Sequence, residues 1–270
     1  MDKDDFGDRM KSMERVETAH RFDPNLPVVA RIDGRGFSKF TKGMLRPFDA
    51  RMSMVMIETT RLLVAQTHAQ MGYTQSDEIS LLFANKENSS FMFDGKKVKM
   101  TSVFAALATA CFTRMLMQTH GMEKFVDRMP HFDARVFSVP SRTEAANQFL
   151  WREQDASKNA ISMAAHHYHS HKNLQGKNSA QKIAMLQESG VDFHDYPDFF
   201  KRGTFLRRVL ETRTLTDDER SLIPEDKRPA ASTTYLRGTV KTIPMPSFRT
   251  VGNREDVLFE GALPILKEAD

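Results

Sequence analysis

The sequence predicts an α+β protein built on a ferredoxin-like, mainly antiparallel sheet with helices on one face. Three observations favour this fold class. Short apolar segments, each ending in turn residues, predict strands. Between them lie segments whose apolar residues recur on one helical face, which predicts helices. The order of these strands and helices is that of a split βαβ unit. The chain has 270 residues, 40% of them hydrophobic and 27% charged, so it is able to bury a substantial core.

The first part of the chain predicts a helix, a strand and a second helix. Residues 1–25 are charged and predict a frayed end followed by a short helix. The apolar run 27–32 predicts a buried strand that ends at Asp33. Apolar residues then recur at helical spacing over 52–63, and Gly72 suits the C-terminal cap of this helix.

The next part predicts the remaining strands and a second amphipathic helix. Residues 79–83 predict a strand, and polar residues at 85–88 predict a turn before a short apolar strand at 91–93. Helical spacing over 104–115 predicts the helix, and 131–139 predicts the last strand, which a proline stops. We expect the two helices to cover one face of the sheet and to leave the other face free for substrate.

The C-terminal half has a different pattern of predicted secondary structure. Residues 143–190 predict helices, and the remainder, from about residue 196, predicts short strands and proline-rich irregular segments. We therefore expect a catalytic domain at 1–142 and a smaller helical and irregular module at 143–270 that packs on it.

Composition narrows the functional classes. The single cysteine, Cys111, lies on an apolar helical face, excludes an intramolecular disulfide framework and fits a reducing, cytoplasmic location. No apolar run approaches the length of a membrane span, and the acidic first residues do not suit a signal peptide, so we expect no membrane partner. The formal charge of +4 is a mild bias toward polyanionic partners.

Two acidic residues lie at junctions between apolar strands and turns. Asp33 is followed by Gly34 and Gly36, whose missing Cβ atoms let backbone N–H groups approach a triphosphate. Asp77 lies just before the strand at 79–83. On neighbouring strands, the two carboxylates and the Gly34 carbonyl can hold a pair of Mg²⁺ ions for phosphoryl transfer. Taken alone, the turn at Asp33 is better explained as a simple strand end, because Asp-Gly turns are common.

Six ordered blocks resemble the tRNA(His) guanylyltransferase family, the reverse (3′–5′) nucleotide polymerases. The blocks are Arg31-Ile-Asp-Gly-Arg-Gly-Phe37, Arg46-Pro47-x-Asp49, Tyr73-x-Gln-Ser-Asp-Glu78, Phe132-Asp-x-Arg135, Trp151-Arg152-x-x-Asp155 and Lys201-Arg-Gly-Thr204. Each block alone is only moderately specific, but six in the right order leave little room for chance. The resemblance implies a palm-like catalytic fold and a Mg²⁺-dependent nucleotidyltransferase with GTP and ATP as substrates.

The resemblance also implies roles for individual residues. Asp33 and Asp77 match the catalytic residues and, with Gly34, the ligands of two Mg²⁺ ions. The implied nucleotide-binding residues are Asp33, Gly34, Arg35, Gly36, Phe37, Ser38, Arg46, Asp49, Ser76, Asp77 and Lys99. The implied tRNA-binding residues are Lys96, Arg135, Asp155, Asn159, Lys201 and Arg202, so the C-terminal module is expected to contribute to tRNA binding.

One departure from the family pattern concerns the tRNA. The eukaryotic branch carries His-Ile-Asn-Asn-Leu-Tyr-Asn where this chain has residues 157–163, and only Asn159 matches. The chain therefore resembles the like-protein branch, which extends truncated tRNA 5′-ends. By this analogy the 3′-hydroxyl of an incoming nucleotide attacks an activated 5′-phosphate, for tRNA repair or for guanylylation of tRNA(His), in a homotetramer.

Several alternatives stay open from the sequence. A palm-fold nucleotide cyclase or a non-catalytic RNA-binding protein would share these carboxylates or basic clusters. The histidines between His166 and His171 suit a metal site, a solvated helix end or an RNA contact. Trp151 suits either a packed anchor or a platform for base stacking, and Phe104 and Phe112 suit either a core or an interface.

Overall fold

The fold is organised around one antiparallel sheet. The computed structural model describes residues 5–84 and 91–268, and its strands lie in the order β4-β1-β3-β2-β5-β6. The strands are β1 (Val28–Gly34), β2 (Met71–Gln75), β3 (Glu78–Phe83), β4 (Phe132–Ser138), β5 (Thr204–Thr214) and β6 (Thr234–Ile243). The predicted α+β, ferredoxin-like sheet is confirmed, since the first four strands follow the order of a split βαβ unit.

Helices and short 3₁₀ turns connect and cover these strands. The helices are α1 (Asp5–Thr18), α2 (Phe37–Phe40), α3 (Ala50–Thr67), α4 (Lys97–Gln118), α5 (Arg142–Tyr168), α6 (His171–Leu174), α7 (Ser179–Glu188), α8 (Asp198–Lys201), α9 (Asp217–Ser221) and α10 (Arg254–Phe259). The 3₁₀ turns are Met92–Gly95, Glu123–Arg128, Phe193–Asp195 and Glu225–Lys227. The helices predicted near the N-terminus and within 143–190 are confirmed.

The first face of the sheet packs against α3 and α4. Alternation along β1 directs Val28, Ala30 and Ile32 into this core. Phe104 and Phe112 of α4 are fully buried there, so both belong to the core and not to an interface. By length and composition α4 is apolar enough to cross a membrane, which the sequence reading did not anticipate, but its large apolar side chains pack on the sheet as those of a core helix do.

The second face is only partly open. Helix α5 crosses it, and a second apolar cluster there contains Tyr73, Phe149, Phe205 and Phe248. The buried carboxylate of Glu153 on α5 accepts hydrogen bonds from the Phe248 amide at 2.9 and 2.8 Å, which ties the C-terminal segment to this helix. The expectation of a free second face is therefore wrong for β2 and β3 and for the part of β1 and β4 around Val29 and Phe137.

The hairpin that carries Asp77 differs from the prediction. Helix α3 ends at Thr67 because His68 adopts left-handed angles, φ 58° and ψ 25°, and serves as the cap. Gly72, predicted as that cap, lies instead within β2, and β2 pairs with β3. A Cβ at Gly72 would lie 2.6 Å from Val64 Cγ2, so the glycine lets α3 approach the strand closely.

Two further predictions about strands are wrong. The segment at 91–93 leads into a 3₁₀ turn, where Phe93 and Asp94 both have φ of 56°, which no strand allows. The predicted turn at 85–88 lies outside the described residues. The C-terminal strands are long, with 11 residues in β5 and 10 in β6, and only 204–207 pair with β2. The rest of β5 and β6 extends beyond the sheet as a two-stranded arm.

The division of the chain at 142 remains a prediction. Strands β5 and β6 come from the second part of the sequence and join the same sheet as the first four strands. The helices α5 to α8 and the irregular segments near the C-terminus follow the description of a helical module.

The close approach at Gly72 predicts the effect of adding one methyl group. Gly72→Ala should lower the free energy of unfolding by about 1–3 kcal/mol, because the new Cβ overpacks Val64 and Thr60 of α3. Urea denaturation followed by circular dichroism measures this change.

Gly252→Ala is the matched control. A Cβ at Gly252 would lie 3.6 Å from its nearest neighbours, Ile265 O and Lys267 Cγ, so the change should stay within about 0.5 kcal/mol. Equal stability of the Gly72→Ala variant and the wild type would contradict the assigned packing of α3 on β2.

Candidate active site

The end of β1 positions the first carboxylate. Asp33 lies directly opposite Glu78 of β3 and Asp133 of β4, on the second face of the sheet. Its side chain is half-buried at the rim. The next residue, Gly34, donates its amide hydrogen to the carbonyl of Asp77 at 3.0 Å. This bond joins the end of β1 to the turn that follows β2.

That turn positions the second carboxylate. Gln75 and Glu78 pair across the hairpin, so Ser76 and Asp77 form a two-residue turn between β2 and β3. Ser76 has a left-handed φ of 50°, and its hydroxyl donates to Asp77 Oδ1 at 3.0 Å. The structure therefore brings the two predicted catalytic aspartates to one rim of the sheet, and neither is sealed in the core.

The electrostatics of this rim favour a bound cation. Burial, followed by the negative charge of Asp133, raises the pKa of Asp33, while nearby arginines oppose the shift. Burial, followed by the charge of Asp33, raises the pKa of Asp77 against the hydrogen bond from Ser76. Each carboxylate thus loses hydration and meets like charge, and a divalent cation would relieve both costs.

Glu78 is held by an arginine instead. Arg152 of α5 donates from Nε to Glu78 Oε1 at 2.7 Å and from Nη2 to Asp155 Oδ2 at 3.0 Å. Both Glu78 and Arg152 are buried, so this ion pair fixes α5 over the start of β3. Glu78 therefore supports the site and does not face it as a free ligand.

The loop after β1 has the geometry of a phosphate cradle. A Cβ at Gly34 would lie 2.5 Å from the Phe37 ring, and Gly36 has a left-handed φ of 71°, so both positions require glycine. Phe37 itself is buried among aromatic rings of the core. Arg35 is exposed, and its amide donates to the His131 carbonyl at 3.0 Å. The amides of Gly34 and Arg35 are thus already engaged, and the backbone amides from Gly36 to Ser38 remain the candidates for phosphate contact.

A groove of about 380 Å³ opens beside Asp77. Its walls include the predicted nucleotide-binding residues Phe37, Ser38, Arg46, Asp49, Ser76 and Asp77. Helix α5 contributes Ala156, Asn159, Ala160 and Met163, and aromatic residues Phe48, Phe199 and Phe200 close one side. A neighbouring chamber of about 520 Å³ shares Arg46, Ser76 and Asn159 and reaches His166 and His167. Asp33, Gly34, Arg35, Gly36 and Lys99 do not line the groove.

Asp49 has a structural role in this groove. It caps α3, and its carboxylate accepts hydrogen bonds from the Arg51 amide at 3.0 Å, from Arg51 Nη2 at 2.7 Å and from the Leu45 amide at 3.3 Å. The Arg51 side chain, as the main cause, lowers the pKa of Asp49. The carboxylate is thus already engaged, and it holds the wall formed by the segment before α3.

The residues predicted to bind tRNA are spread over several elements. Arg135 lies on β4 near Asp33, and its positive charge opposes the rise in the pKa of that aspartate. Asn159 lines the groove and donates to Asp155 at 3.3 Å. Lys201 and Arg202 pair with Asp198 at 3.4 and 2.8 Å.

Two further basic residues lie at the start of α4. Lys96 caps this helix, and Lys99 contacts the Phe93 ring with its ammonium 5.1 Å from the centroid. Neither residue is brought to the groove.

The histidine cluster lies at the end of α5. The rings of His166 and His171 stack with centroids 5.7 Å apart, and His169 Nε2 contacts Ser189 Oγ at 3.2 Å. Within the described part of the chain, no group of three or more His, Cys, Asp and Glu side chains is placed to hold a metal ion. His166 and His167 instead face the chamber next to the groove.

Sequence reasoning missed part of this site. The aromatic wall of Phe48, Phe199 and Phe200 joins segments 150 residues apart, which local patterns cannot reveal. Ala156, Ala160 and Met163 could have been found, because they share one helical face with Arg152 at spacings of four, four and three.

Comparisons with known proteins identify the family. The family model described as tRNAHis guanylyltransferase matches residues 7–140. The chain is 27% identical to the tRNA(His) guanylyltransferase of Debaryomyces hansenii over 225 residues, covering 78% of this chain and 84% of that one. An uncharacterized protein of Acanthamoeba polyphaga mimivirus is 28% identical and covers 76% of this chain and 77% of its own length.

Solved structures of similar proteins share the fold of this chain. A bacterial tRNA(His) guanylyltransferase-like protein in complex with ATP has a TM-score of 0.70 and 37% identity, over 75% of this chain and 88% of that chain. A like protein in complex with GTP has a TM-score of 0.69 and 30% identity, over 91% of this chain and 94% of that chain. The resemblance seen in the six sequence blocks is thus confirmed, and the chain belongs to the tRNAHis guanylyltransferase family of nucleotidyltransferases.

Proposed function

We propose that this protein adds nucleotides in the 3′–5′ direction to the 5′-ends of tRNA, with Mg²⁺ at Asp33 and Asp77. The observation that carries this proposal is the convergence of the two carboxylates beside a groove of nucleotide size. The solved relatives in complex with ATP and GTP support nucleotides as substrates. The names of the curated relatives support tRNA as the acceptor.

The donor set at the rim fits Mg²⁺. Two half-buried carboxylates and the carbonyl of Gly34 offer oxygen atoms only, which suits a hard divalent cation and not zinc. Phosphate oxygens and water would complete the coordination, as is usual for Mg²⁺. When bound, the ions would lower the pKa of the attacking hydroxyl and neutralise charge on the phosphates.

The chain's own residues would bind and orient the reactants. The amides around Gly36 and the side chains of Ser38 and Arg46 would hold a triphosphate. Ser76 would keep Asp77 in one orientation through its hydrogen bond. The 3′-oxygen of the incoming nucleotide would bond to the tRNA 5′-phosphorus, its proton would pass to solvent, and AMP or pyrophosphate would leave.

The like-protein assignment favours 5′-end repair over strict guanylylation of tRNA(His). The solved relatives with 37% and 30% identity are both like proteins. A homotetramer and a cytoplasmic location remain predictions by family analogy.

Asp33→Asn and Asp77→Asn should each slow 5′-extension at least about 100-fold, because a neutral amide is a poor ligand for Mg²⁺. The assay is incubation with 5′-truncated tRNA, ATP, GTP and Mg²⁺, followed by gel analysis of the extended product. Asp226→Asn, an exposed aspartate, is the control and should extend tRNA at the wild-type rate.

Two outcomes would count against the proposal. Extension at the wild-type rate by either rim variant would exclude the assigned catalysis. Conversion of GTP or ATP to a cyclic product without RNA would favour the nucleotide cyclase instead.

The raised pKa values of Asp33 and Asp77 predict an acid limb in the pH profile. Both carboxyls protonate at a higher pH than an ordinary aspartate, so protons compete with Mg²⁺ as pH falls and activity is lost. Higher Mg²⁺ should move this limb to lower pH. Initial rates measured from pH 5 to 8 at limiting and saturating Mg²⁺ test this. If the pH at which activity falls does not depend on the Mg²⁺ concentration, Asp33 and Asp77 are not the Mg²⁺ ligands.

A further inference from the structure

On the second face of the sheet, the end of β1 and β4 near Asp33 lies beside an exposed aromatic residue. Trp151 of α5 is 50% exposed, which is unusual for a large apolar ring that has a core nearby. The guanidinium of Arg31 lies 5.6 Å from the indole centroid, and that of Arg152 lies 4.6 Å away. Trp151 is therefore held in place by two cations and is still open to solvent.

The same surface carries an unfavourable pair of like charges. Arg31 of β1 lies directly opposite Arg135 of β4 in the strand register. Like charges directly opposite each other destabilise a sheet. Arg135 pairs with Asp133 at 3.7 Å, and the charge of Arg31 acts on Asp33 and Glu78 without a close ion pair in the described part of the chain, so neither guanidinium is tightly paired. A phosphate between the two guanidinium groups would turn this repulsion into binding.

These side chains lie close to the catalytic rim. Arg31 and Asp33 are two residues apart on one strand and point to the same face, which separates their Cα atoms by about 7 Å. Arg152, which contacts the indole, also holds Glu78 opposite Asp33. A nucleotide bound at Arg31, Arg135 and Trp151 would therefore adjoin the reacting phosphate.

The surface is separate from the nucleotide groove. Arg31, Arg135 and Trp151 line neither the groove beside Asp77 nor the chamber that reaches His166. Those two spaces already offer room for free nucleotides. An aromatic ring next to paired arginines suits a different ligand, the unpaired end of a nucleic acid strand, because bases stack on aromatic rings and arginines bind the backbone.

We propose that Arg31, Arg135 and Trp151 form an RNA-end platform, on which the base next to the reacting 5′-end stacks against Trp151. The adjoining phosphate is held between Arg31 and Arg135. This inference rests on the proposed function, since it places the acceptor RNA at the end of β1 and β4 next to the catalytic rim. It assigns Trp151 a role in binding the acceptor and not in the chemical step.

The chain has one tryptophan, so its fluorescence reports on this platform alone. Titration of the wild-type protein with 5′-truncated tRNA should quench the emission in a saturable way, and GTP or ATP alone should not. Equal quenching by GTP alone would overturn the assignment to RNA, because it would show that a free nucleotide binds at the platform.

Variants separate the platform from the catalytic rim. Trp151→Leu should raise KM for tRNA about 10- to 100-fold, the range expected for the loss of one stacked base, with little change in KM for GTP. Trp151→Tyr should restore most of the affinity, because tyrosine keeps a stacking face. Arg31→Gln and Arg135→Gln should weaken tRNA binding and lower its salt dependence.

Arg114→Gln on α4 is the matched control, since this exposed arginine lies on the helix that covers the opposite face of the sheet, and its KM for tRNA should not change. The platform would be overturned if the wild-type protein extends tRNA without a change in its fluorescence and the Trp151→Leu variant has the same KM for tRNA. The proposed function would then remain intact. Saturable quenching by tRNA in a protein that extends no tRNA would support the platform and refute the proposed function.

Discussion

The hydrogen bond from the Gly34 amide to the Asp77 carbonyl is the constraint on which the rest of the site depends. It is 3.0 Å long and joins the end of a central strand to the turn of the neighbouring hairpin. Because the two catalytic carboxylates are carried by this strand end and this turn, the bond fixes them at one rim. The pKa values of both carboxyls are raised at this rim, mainly by burial, with a further contribution from the charge of Asp133 at Asp33 and from the charge of Asp33 at Asp77.

The two sides of the rim offer different binding surfaces. On one side, α5 and the segment before α3 form the groove, with Asp49 engaged by Arg51 so that the wall keeps its shape. On the other side, β1 and β4 carry the partly exposed Arg31 and the exposed Arg135. The buried pair of Glu78 and Arg152 links these sides, because it anchors α5 directly over the strand that follows Asp77. A buried pair of this kind matters mainly for position, since desolvation offsets much of its attraction.

The parts of the fold that local patterns encode were predictable from the sequence. Strand β1, helix α4 and the glycines after Asp33 follow directly from apolar periodicity and turn chemistry. Gly72 misled the prediction because a glycine before a strand reads as a helix cap, whereas here it allows close helix packing. The length of β5 and β6 was not predicted, because beyond residue 207 the two strands pair only with each other and show no regular alternation of buried apolar and exposed polar residues. The arginine pair across β1 and β4 depends on strand register, which no single segment specifies.

The most direct test of the account is the number of divalent ions bound at the rim. Mn²⁺ binding followed by electron paramagnetic resonance, with a non-hydrolysable GTP analogue present, reads this number without any reaction taking place. The account predicts two ions per chain in the wild type and the loss of binding in Asp33→Asn and Asp77→Asn. The same stoichiometry and affinity in the wild type and both variants would contradict it.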